Sequence, residues 1–469
     1  MSRRKLRAGY HAWRTYPAHR GRDGANFAYE EIGRLLQSTF ALVARPHDIL
    51  ELCKDDRLAF NELRDIDVVV ACVGPHAYLY FYLRQRLCLD FRIIRDARTA
   101  LWNAYFLQEA LVQPLMRESD LLVHSSAYSQ AVYSRAFPGL NSTNQAVCYP
   151  LTRWFPQKMP RAPRNSWQRV TLGFVGRMTD DKGYPQALEL FAACRRYWPG
   201  RYQMLSVGEV LNLGHHEKLL YKHLGADRSG YRSLGPVVRN EIWQMYDQMD
   251  LLLFPSTSNL ETFGRVLVEA SHAGVPILAA GHGAAHELID PAAKVPVIYR
   301  HGELISLRDS VAMGSLDLDA AVGALADTTA VPRSTGHELY KSDDELFLHL
   351  VKVGISAART DRAVRTEQAA FAALLTLQDL PTLTEQQVLV QIEKLVKMIV
   401  ALHDWYSFRY YKALIRLIMA SSMRHRTVQF VRRSVHWRED LTNIGGMDME
   451  FAHLLLFAPS YRLDGGDSE

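Results

Sequence analysis

The stretch FPSTSNLETFGRVLVEASHAGVPILAAG (254–281) decides the fold. An apolar run closing in Pro-Ser, LLLFPS (251–256), reads as a buried strand that runs into a loop. Beyond the loop, Val266, Leu267, Ala270 and Ala273 recur at helical spacing. Gly274-Val275-Pro276 then ends the helix before a second apolar run, ILAA (277–280). A strand, helix and strand in so short a span is the unit of a parallel α/β sheet. Glu261 falls in the loop at the helix N-terminus, and Glu269 lies two turns further in on a similar face. Carboxylates at a strand's carboxyl end suit a hydroxyl-rich ligand held in the crevice of such a sheet.

The same alternation extends in both directions. Upstream come VTLGFVG (170–176), PQALELFAACRRYW (185–198), YQMLSVG (202–208) and NEIWQMYDQM (240–249); downstream, VPVIY (295–299) continues the strands. A separate series fills the N-terminal third. LRAGYHAW (6–13), IDVVVACVG (66–74), FRIIRD (91–96) and DLLVHSS (120–126) read as strands. GRDGANFAYEEIGRLLQSTF (21–40) reads as a glycine-bearing turn and helix, and AYSQAVYSRAF (127–137) as another helix. LTRWFPQKMPRAPRNSW (151–167), rich in Pro and Arg and without periodicity, reads as a linker. The division expected is 1–155 and 169–310 as two Rossmann-like, doubly wound domains joined by 156–168. Residues 311–469 follow as a mainly helical extension that packs back on the first domain. Its clearest helix begins at Thr384, which with Gln387 makes a capping-box pattern ahead of the stripe Val388, Ile392, Leu395, Ile399 and Leu402.

At 469 residues the chain exceeds what one core holds, and its 48% hydrophobic and 22% charged content is that of a globular protein. No apolar run approaches the roughly 20 residues that span a bilayer. The basic N-terminus lacks the apolar centre of a secretory signal. Five cysteines (53, 72, 88, 148, 194) without a C-x-x-C pair fit reduced thiols in a cytoplasmic setting. The net charge of +5 is uneven. Seven basic residues from Arg3 to Arg22 precede Asp23, and a basic, aromatic region runs over 405–433. Both suit an anionic membrane surface or nucleic acid. The plainer alternative is a solvated helix face whose aromatics pack inward.

GFVGRMTDDKGYPQALELF (173–191) holds the second informative pattern. A strand ends at Val175-Gly176, and a short turn keeps Arg177 and Lys182 close together ahead of a helix N-terminus. Such a site favours an anion, and a diphosphate would meet both cations. With Glu261 and Glu269 to accept hydroxyls, the implied ligand is a nucleotide sugar.

G-R-x-x-x-x-K-G at 176–183, followed by PS…E-x-F-G-x-x-x-x-E-A-x-x-x-G-x-P at 255–276, resembles the retaining glycosyltransferases of family 4. The likeness covers 170–290. It implies the α/β GT-B fold, two Rossmann-like domains facing a cleft, and transfer of a hexose or N-acetylhexosamine from a UDP- or GDP-sugar. It implies that Arg177 and Lys182, beside Gly176, neutralise the departing diphosphate. Glu261, with backbone amides around Thr262, Phe263 and Gly264, would bind the transferred sugar, and Glu269 the ribose. Gly281 and Gly283, in GHGAAHELI (281–289), would let the backbone approach the donor, and Glu287 would hold that loop. The front-face chemistry attributed to the family relies on charge stabilisation and position.

The first domain departs from the family pattern. Gly21 and Gly24 are a loose equivalent of its Gly-Gly loop. Arg95, followed by Asp96, stands where the family often has a histidine, leaving His76 as a substitute by position. No cofactor and no metal are expected, and Asp65-Ile66-Asp67 reads as a solvated strand start rather than a metal-binding D-x-D. Three readings stay open: the transferase, a non-catalytic nucleotide-sugar or glycan-binding subunit, and a sugar-nucleotide epimerase on the same fold.

Overall fold

The computed structural model describes residues 4–11, 24–71, 77–98, 101, 108–109, 111–137, 140, 144–150, 155–156, 169–238, 240–299, 305–306, 312–326, 343–354, 375–376 and 384–402. Side chains of residues 24–29, 305–306, 375–376 and part of the last helix lie outside that description. His76, Gly21, most of the 156–168 linker and the basic 405–433 region also fall outside it.

Two six-stranded sheets organise the chain. The first contains β1 (Leu6–His11), β2 (Leu42–His47), β3 (Val68–Ala71), β4 (Arg92–Ala97), β5 (Leu121–His124) and β6 (Gln145–Val147) in the order β2-β1-β3-β4-β5-β6. The second contains β7 (Val170–Val175), β8 (Tyr202–Val207), β9 (Tyr231–Leu234), β10 (Leu251–Phe254), β11 (Ile277–Ala280) and β12 (Lys294–Val295) in the order β12-β11-β10-β7-β8-β9. Every ladder in both is parallel. Short runs such as VVVA and LLLF are buried along their whole length, as strands covered by helices on both faces must be. This is the α/β, doubly wound GT-B architecture that the sequence resemblance implies.

Each sheet has one point at which its winding reverses, β1/β3 in the first and β7/β10 in the second. Ligands of open α/β sheets bind beyond the carboxyl ends of such strands. The same device registers both pairs. Asp67 accepts a hydrogen bond from the Arg7 amide at 2.7 Å, and Asp250 accepts one from the Thr171 amide at 2.8 Å. Asp67 is therefore bound into the ladder rather than simply solvated. Arg7 also pairs with Asp65 at 3.2 Å and Arg4 approaches Asp67 at 3.9 Å, so part of the N-terminal positive charge is internally answered.

VPVIY does not extend the second sheet. Pro296 brings no amide to a ladder, so β12 stops at Val295, and Val297–Tyr299 instead pairs antiparallel with Gly314–Leu316. Packing of the second half also runs past residue 310. Helix Leu318–Ala326 buries Ala321 and Leu325 in the same core as helix Tyr184–Tyr197. The next two described helices turn to the first sheet. Phe347, Leu350 and Val351 of helix Asp344–Val353 pack with Ile94 and Val123, and Val388, Ile392 and Val396 of helix Glu385–Leu402 enter the core around Tyr78–Leu83. The capping box forms as its sequence implies. The Thr384 amide donates to Gln387 Oε1 at 2.8 Å, and the Gln387 amide donates to Thr384 Oγ1 at 3.3 Å.

Candidate functional site

The loops after β7 and β10 flank the winding reversal of the second sheet, and they carry Arg177, Lys182 and Glu261. Gly183 holds them together. Its φ of 71° lies in the left-handed region, and a Cβ there would stand 2.6 Å from the Pro255 carbonyl oxygen. Glycine alone meets both demands. Ser256 Oγ adds a hydrogen bond to the Asp181 carbonyl at 3.1 Å, so one loop is fastened to the other.

Lys182 Nζ consequently reaches Glu261 Oε2 at 2.6 Å, both side chains being partly exposed (27% and 16%). The other oxygen, Oε1, accepts the Gly264 amide at 2.9 Å. That amide is thus used within the loop rather than left for a ligand. Gly264, at φ 82°, precedes helix Arg265–His272 and sends the chain into it. Arg177 bonds Asp181 of its own turn at 3.2 Å and keeps 47% of its side-chain surface open. Glu269 accepts from Arg265 Nε at 3.1 Å and from the buried Tyr246 hydroxyl at 3.0 Å. Burial first, and the facing Glu269 carboxylate next, push the Tyr246 phenol well above its ordinary range, so it stays a donor. These two loops and the helix that follows thus carry two cations and two fixed carboxylates.

The first domain closes against these loops. Ser126 Oγ donates to the Thr262 carbonyl at 2.6 Å, and Ser125 Oγ approaches the same oxygen at 3.4 Å. Phe263 is buried against Tyr149, ring centroids 5.5 Å apart. Gly283, at φ 56°, faces Tyr128. Glu287 ties its loop to the first domain: its carboxylate accepts the amides of Ala127 and Tyr128 at 3.0 and 3.1 Å, at the N-terminus of helix Ala127–Ala136. An acid there complements the exposed amides and the helix dipole. On the same face, Glu31 from helix Gly24–Gln37 receives both terminal nitrogens of Arg265, at 3.1 and 2.8 Å.

Gly24 begins that helix. Arg95 lies fully buried at the end of β4, with its Nε 3.0 Å from Glu109 and its guanidinium also donating to the Ala71 and Asp96 carbonyls. Asp96 is buried beside Arg98 at 3.0 Å; burial raises its carboxyl above the usual range, against the pull of Arg98. The Arg95 position therefore serves the interior rather than a ligand. Among the described residues, no group of three or more His, Cys, Asp or Glu side chains could hold a metal ion, and no helix is long and apolar enough to cross a membrane.

The sequence reading does not single out Glu31 or Arg265, although two signals point to them. A cation in the first turn of a helix opposes the dipole unless an acid answers it. Glu31 falls four residues before Leu35, on the stripe that buries Ile32, Leu35 and Leu36.

Residues 158–305 match the family model described as Glycosyl transferases group 1, a span that contains the β7 and β10 loops and helix Arg265–His272. A search of curated proteins found no match. Among solved structures, Alr3699/HepE of Anabaena in complex with UDP and glucose aligns at 14% identity and TM-score 0.47, over 78% of this chain and 98% of that one. The apo lipopolysaccharide outer core galactosyltransferase WaaB aligns at 13% and 0.48, over 75% and 97%. A glycosyltransferase of Rickettsia africae aligns at 10% and 0.48, over 84% and 99%. The second sheet, with its two charged loops, lies within the span that matches this family model.

Proposed function

We infer that the chain transfers a hexose or N-acetylhexosamine from a UDP- or GDP-sugar to an acceptor hydroxyl, with retention and without a metal, as the family 4 resemblance implies. The observation that carries this reading is the Lys182–Glu261 pair at 2.6 Å, set at the winding reversal of the group 1 domain. An internal ion pair that stays partly exposed has two functions ready for a ligand. A diphosphate draws on the Lys182 and Arg177 charges as its leaving oxygen gains negative charge. Glu261, already oriented by the Gly264 amide, accepts sugar hydroxyls on its remaining lone pairs. Glu269, held by Arg265 and Tyr246, is oriented to accept from ribose hydroxyls. In this reading no side chain need act as a general base, because the departing phosphate takes the acceptor's proton. A cytoplasmic setting, with Cys53, Cys148 and Cys194 buried as thiols, belongs to the same proposal.

The test is to incubate the protein with UDP- and GDP-linked glucose, galactose, mannose and N-acetylglucosamine. Release of nucleotide and its stimulation by added glycan or lipid-linked acceptors are followed with and without EDTA. Turnover in EDTA with the anomeric configuration kept is the expected result. Nucleotide binding without any turnover would instead favour a non-catalytic binding subunit, and inversion or a metal requirement would overturn the mechanism.

A further inference from the structure

One side chain outside the inferred donor set touches both domains and that set at once. Arg265 is the first residue of the helix that carries Glu269, and its planar guanidinium is used in two directions. Nε bonds Glu269 Oε1 at 3.1 Å, while the two terminal nitrogens form a fork on the Glu31 carboxylate at 3.1 and 2.8 Å. Glu31 is fully buried and Arg265 one-fifth exposed, so this pair is screened far less than a surface bridge. The interdomain linker reaches the same helix. Phe155 lies under the Arg265 guanidinium at 5.9 Å and meets the rings of Trp243 and His272 edge-on at 5.1 Å, and His272 Nε2 contacts the Pro156 carbonyl at 2.7 Å.

We propose that Arg265 is a positioning residue: it fixes the Glu269 carboxylate while clamping the second domain to Glu31 of the first, so that nucleotide affinity rises as the domains close. The assignment of Glu269 to ribose rests on the proposed function; the clamp does not. Only arginine has the donors for both tasks, since a lysine ammonium is a point charge without a fork. Two states follow from the geometry. With the fork engaged, Glu269 is held in line and the domains are tied together. With it released, Arg265 no longer fixes Glu269, which keeps its Tyr246 bond, and the linker contacts lose their anchor.

Full-length Glu31→Gln, Arg265→Met, Arg265→Lys and the exchange Glu31→Arg with Arg265→Glu separate the two tasks. Small-angle scattering without ligand reads the clamp. Glu31→Gln and Arg265→Met are expected to have a larger radius of gyration than the parent, and the exchange, which restores opposite charges, to return toward it. Calorimetry with UDP, GDP and 2′-deoxy-UDP reads the positioning. Arg265→Met should bind the preferred diphosphate about 5- to 150-fold more weakly, the span of ordinary coupling between sites. It should also lose the parent's preference for the ribose over the 2′-deoxyribose form. The exchange variant should be closed yet still weak, because the carboxylate it introduces at position 265 would repel Glu269. Arg265→Lys, able to fold without a buried unpaired acid, should share the loss. Unchanged scattering in every single variant overturns the clamp. An Arg265→Met protein that keeps the ribose preference overturns the positioning role. A parent that binds neither diphosphate overturns the donor reading instead, and the scattering arm still decides the clamp.

Discussion

Both sheets place ion pairs at the carboxyl ends of their strands, and the two ends treat them oppositely. Within β4 of the first sheet, Arg95 is entirely buried with Glu109, and its guanidinium donates to that carboxylate and to backbone carbonyls. Beyond β7 and β10 of the second, Lys182 and Glu261 make a similarly short contact but remain partly exposed, and Arg177 is nearly half exposed. Charge is alike; accessibility differs, and only the second pair stands at a winding reversal. A cation at a strand end is therefore not by itself a binding residue. What marks the second set is that its partners could be exchanged for a ligand's without unburying the interior.

The strongest way to break that contrast is to remove one partner from each pair. Arg95→Met leaves Glu109 as a buried, unanswered carboxylate and should cost about 3–5 kcal/mol of stability, read by urea denaturation. The double change Arg95→Met with Glu109→Leu should recover much of the loss, since an apolar pair replaces a buried ionic one at little cost. If Arg95→Met instead abolishes turnover at unchanged stability, the first end is a ligand site and the contrast fails. Lys182→Met should do the reverse. We expect the turnover rate with the preferred nucleotide sugar to drop by about 10²- to 10³-fold, the effect of losing one transition-state donor. Its urea midpoint should move little, because Glu261 is already partly solvated.

Acid sharpens the comparison further. Burial holds His124 down to about 3 and His11 and His47 to about 4, all in the first domain; in the second it holds His282 to about 4 and also lowers His216 and His223. An unfolded imidazole takes up its proton near 6.5, so between pH 6.5 and 4 the unfolded chain binds more protons than the folded one. The stability contributed by these neutral histidines is full above about pH 6.5 and is lost as pH falls toward 4. Each contributes a slope of about 1.4 kcal/mol per pH unit inside the window. With three of these large shifts in the first domain and one in the second, hydrogen exchange at pH 5 should open the first domain before the second. His124→Gln should flatten the dependence by about one such slope; a variant as acid-sensitive as the parent would remove His124 from the account.

What was legible in the sequence follows the same physical division. The β7 and β10 loops could be read because their structure is written locally: a buried strand, a glycine that takes a left-handed turn, and a charge at fixed distance from a helix start. β9 could not, since YRSL is a half-exposed edge strand with no apolar run. VPVIY misled because its apolar content says strand while Pro296 decides which ladder it joins. Arg265 and Glu31 lie 234 residues apart, and nothing local states that a helix of one domain will meet a helix of the other. The aspartates before β3 and β10 show a middle case. The motif of an acid ahead of a Val- or Leu-rich strand was visible, but its bond to the amide of a neighbouring strand exists only once the strand order is known.

The smallest expected effect concerns the helix that ties the C-terminal region to the first domain. Thr384 and Gln387 exchange reciprocal hydrogen bonds at its start, and Gln85 of the first domain reaches Glu385 in the same turn at 2.6 Å. Thr384→Ala removes the acceptor for the Gln387 amide, leaving a helix-end donor to water. The cost should be about 1 kcal/mol, the usual value for a lost N-cap. Because Val388 and Ile392 lie one and two turns further on and are fully buried against the first sheet, fraying there should loosen that domain's core. Hydrogen exchange should accordingly rise in helix Tyr78–Arg86 and leave helix Arg265–His272 unchanged. A rise confined to the second domain would mean that this helix stabilises that domain instead, and that the two halves are coupled more tightly than the Glu31, Glu287 and linker contacts require.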